Sequence, residues 1–371
     1  MKYGLFMMPS HPPERSISDS HKWDLDYLVL ADKLGYDEAW IGEHHFNRRG
    51  CVPVPGLVHA NIAALTSRIR LGPAVVVLPI HHPIHVAEEW AALDQLSVGR
   101  VDFATGRGYD SHEYGPFGAD FQTSAEVFAE AIELLDLCWS EDPIVSYDGK
   151  HFQVDKVEIC PKPRQRPFRP YMGSFSRYSM EVAAKHDWNL MLAPFAASLV
   201  FGGLAEAVRA YLEICDKAGS EPRGVKCSYF IHMGERPEDD ASGRERLIDY
   251  FTLSGLRSKK TMGTKLPPTM EYYRKIGEKL TNITKEDLGP HSILLGSPQR
   301  IIETLKDVEA IGIERAIERA EAADLRVFLA APGEALALTP EEEDIVLHPK
   351  ADLVGIEANG ISGKTGQGVS D

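Results

Sequence analysis

Residues 70–100, "RLGPAVVVLPIHHPIHVAEEWAALDQLSVGR", decide the fold class. From Leu71 to Pro79 the run is apolar without alternation, the pattern of a strand buried on both faces. Beyond Pro83 the period changes. Ile84, Ala87, Trp90 and Ala91 recur at helical spacing, and Gly99 supplies the stop. A doubly buried strand feeding an amphipathic helix is half of a β–α–β unit.

The same pair recurs along the chain. Further apolar runs occupy 2–7, 38–43, 101–106, 170–174, 189–194 and 227–233. Helical periodicity lies between them in "HKWDLDYLVLADKLGYD" (21–37), "SAEVFAEAIELLDLCW" (124–139) and "SMEVAAKHDW" (179–188). Seven strands before residue 240, with room for an eighth, predict a (β/α)8 TIM barrel. A doubly wound sheet would want a glycine-rich turn after the first strand, where "MMPSHPPERS" (7–16) offers prolines.

Two stretches interrupt the rhythm. Residues 140–169 read as a hairpin excursion after the fourth strand–helix unit. Residues 254–291, basic and poorly periodic, read as a mobile lid inserted before the last helix. The barrel domain is drawn as 1–345, and the tail 346–371 is expected to be partly disordered. After residue 313 only "LRVFLA" (325–330) is strand-like.

Composition sets limits. With 43% hydrophobic and 26% charged residues the chain reads as globular, and its net charge of −15 argues against nucleic acid and anionic membranes as partners. Five scattered cysteines without a CxxC pair suggest neither a disulfide framework nor a zinc knuckle. The first apolar run is too short for a signal segment, and no stretch of about 20 apolar residues follows. A reduced, cytoplasmic protein is expected.

Polar residues gather where strands run into the following loops: "GEHHF" (42–46), "LPIHHP" (78–83), "ATGRGYDSHEYG" (104–115) and "MGSFSRYS" (172–179). Ser174, Ser176 and Ser179 open a helix, which suits a phosphate cradle, although an N-cap accounts for them equally simply. Arg107, set between Gly106 and Gly108, has room to fork onto an anion. His44 and His45 alternate across a strand, so they do not converge on one metal ion, and no metal is expected. His81, His82 and His85 read as loop and helix-start residues.

Taken in order, "EHHF", "GPAVVVLPIHHPIHVAEEWAALDQLSVGR", "RGY", "SFSRYSMEVAA" and "LLGSPQRIIETLKDVEAIGI" (294–313) resemble the bacterial luciferase-like family of flavin-dependent monooxygenases. The resemblance implies a (β/α)8 barrel holding reduced FMN at the C-terminal ends of the strands. It places Arg107, Ser176 and Ser179 at the flavin phosphate, and a non-prolyl cis peptide at Ala74–Val75 beneath the ring. Gly106, Gly108 and Phe175 would line the flavin. His44 matches the catalytic histidine, with Glu43 and His45 as supports. Where luciferases carry a reactive cysteine this chain has Gly106.

The implied reaction is oxygenation of a small organic substrate, such as an aldehyde or ketone, by O2 through a C4a-(hydro)peroxyflavin. The reduced FMN would come from a separate flavin reductase. Two rivals share the scaffold: hydride transfer with a 5-deazaflavin, and a non-catalytic flavin-binding relative. Loops carrying Phe46, His112, Tyr114 and Phe195 are expected around the substrate. A homodimer, or a heterodimer with a paralogue, is expected through helices near the second and third strands, with 83–96 as a candidate surface.

Overall fold

The computed structural model describes residues 2–8, 11, 14–46, 52–261, 271–289, 292–317, 325–330, 338–341 and 344–347. In chain order the first elements are β1 (Lys2–Met7), α1 (Ile17–Lys33), β2 (Glu38–Ile41), α2 (Pro55–Leu65), β3 (Arg70–Pro73), β4 (Val76–Val77) and α3 (Pro83–Leu96). Next come β5 (Ala104–Gly106), α4 (Ser124–Trp139), β6 (Ile144–Asp148), β7 (Gln153–Glu158), β8 (Tyr171–Ser174) and α5 (Arg177–Lys185). They are followed by β9 (Asn189–Leu192), α6 (Pro194–Phe201), α7 (Leu204–Ala218) and β10 (Val225–Met233). The last are α8 (Pro237–Thr261), α9 (Glu271–Thr281), β11 (Leu294–Gly296), α10 (Pro298–Ile317), β12 (Leu325–Ala330), β13 (Leu338–Glu341) and β14 (Asp344–Leu347).

One parallel sheet organises the molecule. Its order is β3-β2-β1-β12-β10-β9-β8-β5-β4, with β11 beside the end of β10. The two outermost strands of this order, β3 and β4, are consecutive pieces of the run 70–77, separated by Ala74 and Val75. The strand-like "LRVFLA" run takes its place between β1 and β10, parallel to both.

Strands β1, β2, β5, β8 and β9 are buried on two faces, which explains their unbroken apolar runs. Leu5, Met7, Ala39, Ile41, Phe103, Met172, Leu190 and Leu192 belong to the large cluster packed under the helices, with Leu28, Trp90 and Leu134. Their chain neighbours Phe6, Trp40, Ala104, Tyr171 and Met191 form a second cluster on the other side. The period of two along each strand separates the layers. Consecutive helices pack side by side, α1 on α2, α2 on α3 and α3 on α4.

The interior at the strand starts holds charge. Lys226 Nζ lies 2.8 Å from Glu38 Oε2 and 3.0 Å from Asp102 Oδ2, and over the rings of Trp40 and Tyr171 at 4.3 and 3.9 Å. Arg70 joins Asp102 at 2.5 Å. A buried cluster of this kind holds only because each charge meets an opposite one.

The excursion is the antiparallel hairpin β6–β7. The stretch read as a poorly periodic insertion is instead helical over 254–261, the end of α8, and over 271–281, which is α9. The two helices pack on each other around Leu247, Phe251, Leu280, Ile283 and Leu295. Ile276 and Leu280 recur at helical spacing on the packed face of α9, a period that the sequence breaks with Gly255, Gly263, Pro267 and Pro268. The expected tail lies outside the described residues, apart from 346–347 at the end of β14. Among the described residues no single helix is long and apolar enough to cross a membrane.

Candidate active site

In a parallel sheet in register the strand ends fall together. Pairs such as Met7–Ile41, Val77–Gly106 and Ser174–Leu192 bring the following loops to one end. A cavity opens there, lined by His44, Ala74, Val75, Gly106, Arg107, Gly108, Phe175 and Ser179. Those are eight of the nine positions singled out in the sequence. The ninth, Ser176, stands behind Ser179, their hydroxyls 3.1 Å apart.

His44 is held from two sides. Its Nδ1 lies 3.1 Å from Oε1 of the buried Glu113, which also accepts the His45 backbone N–H at 2.9 Å. On the other side the Tyr109 hydroxyl is 3.4 Å from Nε2. Burial first, then the neighbouring Tyr250, Asp110 and Glu113, push the Tyr109 phenol well above its ordinary 10.0. The phenol is thereby held in its protonated form.

His45, beyond the end of β2, points the other way. Its Nε2 lies 2.8 Å from Glu43 Oε1, and His81 Nε2 reaches the same oxygen at 2.7 Å. The second Glu43 oxygen accepts the Val77 N–H. Burial alone would raise the Glu43 carboxyl, but the bonds from His45 and His81 outweigh it and leave it below 4.5. His81 is raised above 6.5, again against the effect of burial. The donor atoms of Glu43, His45 and His81 lie close enough together to hold an ion, as do those of Asp110, His112 and Glu113. In the first group hydrogen bonds already join the three side chains.

At the start of α5 the serines form a tight set. Ser174 Oγ and Ser179 Oγ are 2.8 Å apart, and the Ser179 backbone N–H donates to Ser176 Oγ. Ser176 is thus the N-cap, and the hydroxyls of Ser174 and Ser179 gather at the same helix end. Arg107 is buried beside them on the cavity wall, its guanidinium 5.3 Å above the Tyr178 ring.

The floor is apolar. The Ala74–Val75 peptide is cis, and the Val75 side chain sits between two glycines. A Cβ on Gly173 would fall 2.8 Å from Val75 Cγ1, and one on Gly106 would fall 3.0 Å from Cγ2. Bare backbone at these positions is what lets Val75 occupy the floor.

The wall opposite corrects one expectation. Of the four residues that mark the expected loops, Phe195 lines the cavity; Phe46, His112 and Tyr114 do not, and their loops reach it through His44, Tyr109, Asp110 and Glu113. Phe46 is turned outward at 59% exposure, and Tyr114 is buried, its hydroxyl bonded to the Arg107 carbonyl. Phe230, Tyr250, Phe251, Ile276 and Leu280 take their place. They come from β10, α8 and α9, and no local signal distinguishes them from core. Glu113 and Tyr109 were visible only as polar residues in "RGYDSHEYG"; their contact with His44 spans more than 60 residues.

Residues 1–315 match the luciferase-like monooxygenases. The chain belongs to that family. A flavin-dependent trigonelline monooxygenase, oxygenase component, from Acinetobacter baylyi is 31% identical over 85% of this chain and 87% of its own. An alkanal monooxygenase alpha chain of Photorhabdus luminescens is 29% identical over 52% of this chain and 53% of that one. The chain spans about half the length of the first curated relatives it matches. Among solved structures, the FMN-bound oxygenating constituent of 3,6-diketocamphane monooxygenase from Pseudomonas putida superposes with a TM-score of 0.64 at 20% identity, covering 84% of this chain and 89% of its own. An F420-dependent secondary alcohol dehydrogenase superposes with 0.65 at 15% identity, covering 89% and 94%. The luciferase-like fold thus accommodates this chain along most of its length.

Proposed function

We propose that the protein is a flavin-dependent monooxygenase that uses reduced FMN and O2 to oxygenate a small organic substrate. The observation that carries this reading is the cavity itself. One buried arginine and a serine-capped helix start stand at one part of the wall, an apolar floor lies between, and a doubly held histidine faces inward.

The residues present fit FMN. Arg107 with Ser174, Ser176 and Ser179 offers the charge-assisted and hydroxyl donors a phosphate needs. Ala74 and Val75 offer the apolar surface a flat ring needs. When bound, the reduced flavin supplies the electrons that activate O2.

The protein's own groups set the rest. Glu113, a carboxylate that also accepts from the His45 N–H, accepts from Nδ1–H of His44. That tautomer leaves Nε2 as the acceptor nitrogen, beside the Tyr109 hydroxyl at the cavity, where it can take or return a proton. The Tyr109 hydroxyl keeps the imidazole ring aimed. Helices α8 and α9 contribute Tyr250, Phe251, Ile276 and Leu280 to the wall, and as a lid they would exclude water.

The same reading closes the sheet as a (β/α)8 barrel through the run 70–77. It takes reduced FMN from a separate reductase in the cytoplasm, in keeping with a relative named as an oxygenase component. It also takes the α2–α3 side, where Leu57, Leu65 and Leu96 are exposed, as a dimer face.

The test is anaerobic titration with photoreduced FMN and, separately, with a reduced 5-deazaflavin, followed by oxygenated buffer. Reduced FMN should bind at least roughly tenfold more tightly than the deazaflavin. Bound flavin should then reoxidise with kinetics distinct from free flavin and altered in His44→Ala. Binding of the deazaflavin alone would hand the site to hydride transfer.

A further inference from the structure

We infer that the organic substrate is a neutral molecule carrying a flat ring, held against Phe195 and Phe230 with Phe251 behind them. This rests on the flavin reading above, which assigns Arg107 to the cofactor.

Three rings from three separate elements meet on this wall. Phe195 opens α6, Phe230 lies in β10 and Phe251 in α8. Phe195 and Phe251 stack at 4.6 Å, while Phe230 stands edge-on to Phe251 at 5.2 Å and to Phe195 at 5.6 Å. Phe251 is buried. Phe195 and Phe230 are only half-buried and line the cavity. The wall therefore offers aromatic surface in two orientations, the Phe195 and Phe230 ring planes 65° apart. A flat ring can meet one by stacking and the other by its edge, each contact adding to plain area burial. A straight chain gains the area alone.

Charge narrows the class further. Arg107 is the only Lys or Arg among the described lining residues. The lining carboxylates are engaged: Glu43 with His45 and His81, Glu113 with His44, and Asp110 with His112 at 2.5 Å. An anionic substrate would enter a site holding three carboxylates, with its one arginine already given to the flavin. A cationic one would have to displace a histidine. The phenylalanine wall offers an anion no partner, and a cation only its ring faces in place of the carboxylate it needs.

The test is calorimetric titration of the FMN-loaded protein, and of the protein without FMN, with 2-naphthaldehyde, 2-naphthoate and decanal. The naphthaldehyde should bind roughly tenfold or more tightly than the naphthoate, from the cost of burying its charge. Phe195→Leu should weaken naphthaldehyde roughly fivefold and leave decanal within about twofold, the worth of one ring–ring contact. Phe230→Leu, which alters a different element, should give the same split. Naphthoate or decanal binding as tightly as naphthaldehyde, or equal loss of both aldehydes in the two variants, would overturn the inference. Tight naphthaldehyde binding by a protein that takes up no FMN would instead sink the flavin reading and leave the aromatic wall standing.

Discussion

Glu113 Oε1 lies 3.1 Å from Nδ1 of His44 and 2.9 Å from the backbone nitrogen of the next residue, His45. One carboxylate oxygen thus fixes both the imidazole and the chain that carries it. The pair joins the end of β2 to the loop after β5, so the histidine's orientation is set by two strands.

The first prediction concerns that orientation. In Glu113→Ala, the His44 imidazole should lose its preference for a protonated Nδ1, seen in the 15N shifts of the ring. The orphaned His45 N–H should cost roughly 1–3 kcal/mol of stability. Unchanged ring shifts would show that Glu113 does not position His44.

The flavin phosphate gives a second. Arg107→Met should weaken FMN binding by roughly tenfold to a hundredfold, the worth of a charge-assisted contact, and leave riboflavin within about threefold. Equal losses for the two flavins would remove Arg107 from the phosphate.

Val75 allows a double-mutant cycle. Gly173→Ala brings a methyl within 2.8 Å of Val75 Cγ1 and should displace the floor, lowering flavin affinity roughly tenfold. Val75→Ala, which removes the opposing atoms, should restore most of that loss in the double variant. Additive losses would mean that the two positions do not share the floor.

The Glu43–His81 pair should show in the pH dependence of stability. Glu43 is held below 4.5, so its contribution is present above that value and fades as pH falls through the lower folded value. His81 is held above 6.5, so its contribution is complete below 6.5 and fades as pH rises through the higher folded value. Urea unfolding of the wild type and His81→Ala should therefore differ most between pH 4.5 and 6.5, by roughly 1–2 kcal/mol, and converge in alkali. A gap that grows with pH would contradict the assignment.

Far from the site, Lys226→Met should be severe. It leaves Glu38 and part of Asp102 without their buried cation, at a cost of roughly 3–5 kcal/mol. Burial would raise Asp102, but Lys226 and Arg70 hold it well below 3.8 in the wild type. The variant should therefore begin to unfold at higher pH than the wild type during acid titration. Near-wild-type melting would show that the cluster relaxes around the loss.

The sequence alone determined the strand–helix alternation and the end of the sheet where chemistry gathers. Strands buried on both faces need long apolar runs, and loops after parallel strands share one end; both are local facts written in residues such as Leu71–Pro79 and the "EHHF" and "RGY" junctions. The divergence of His44 and His45 was expected from strand alternation, but both lie beyond the end of β2, and separate carboxylates, Glu113 and Glu43, hold them apart. Tertiary structure decided the partners: Glu113 for His44, His81 for Glu43, and Phe230, Tyr250 and Phe251 for the far wall. These contacts join residues from 38 to more than 60 positions apart, or bring separate helices to one cavity, and no periodicity records them. Helices α8 and α9 likewise find their shared core, around Leu247, Phe251 and Leu280, only in each other and in the strand ends they cover, while glycines and prolines over 255–268 break the period in the sequence.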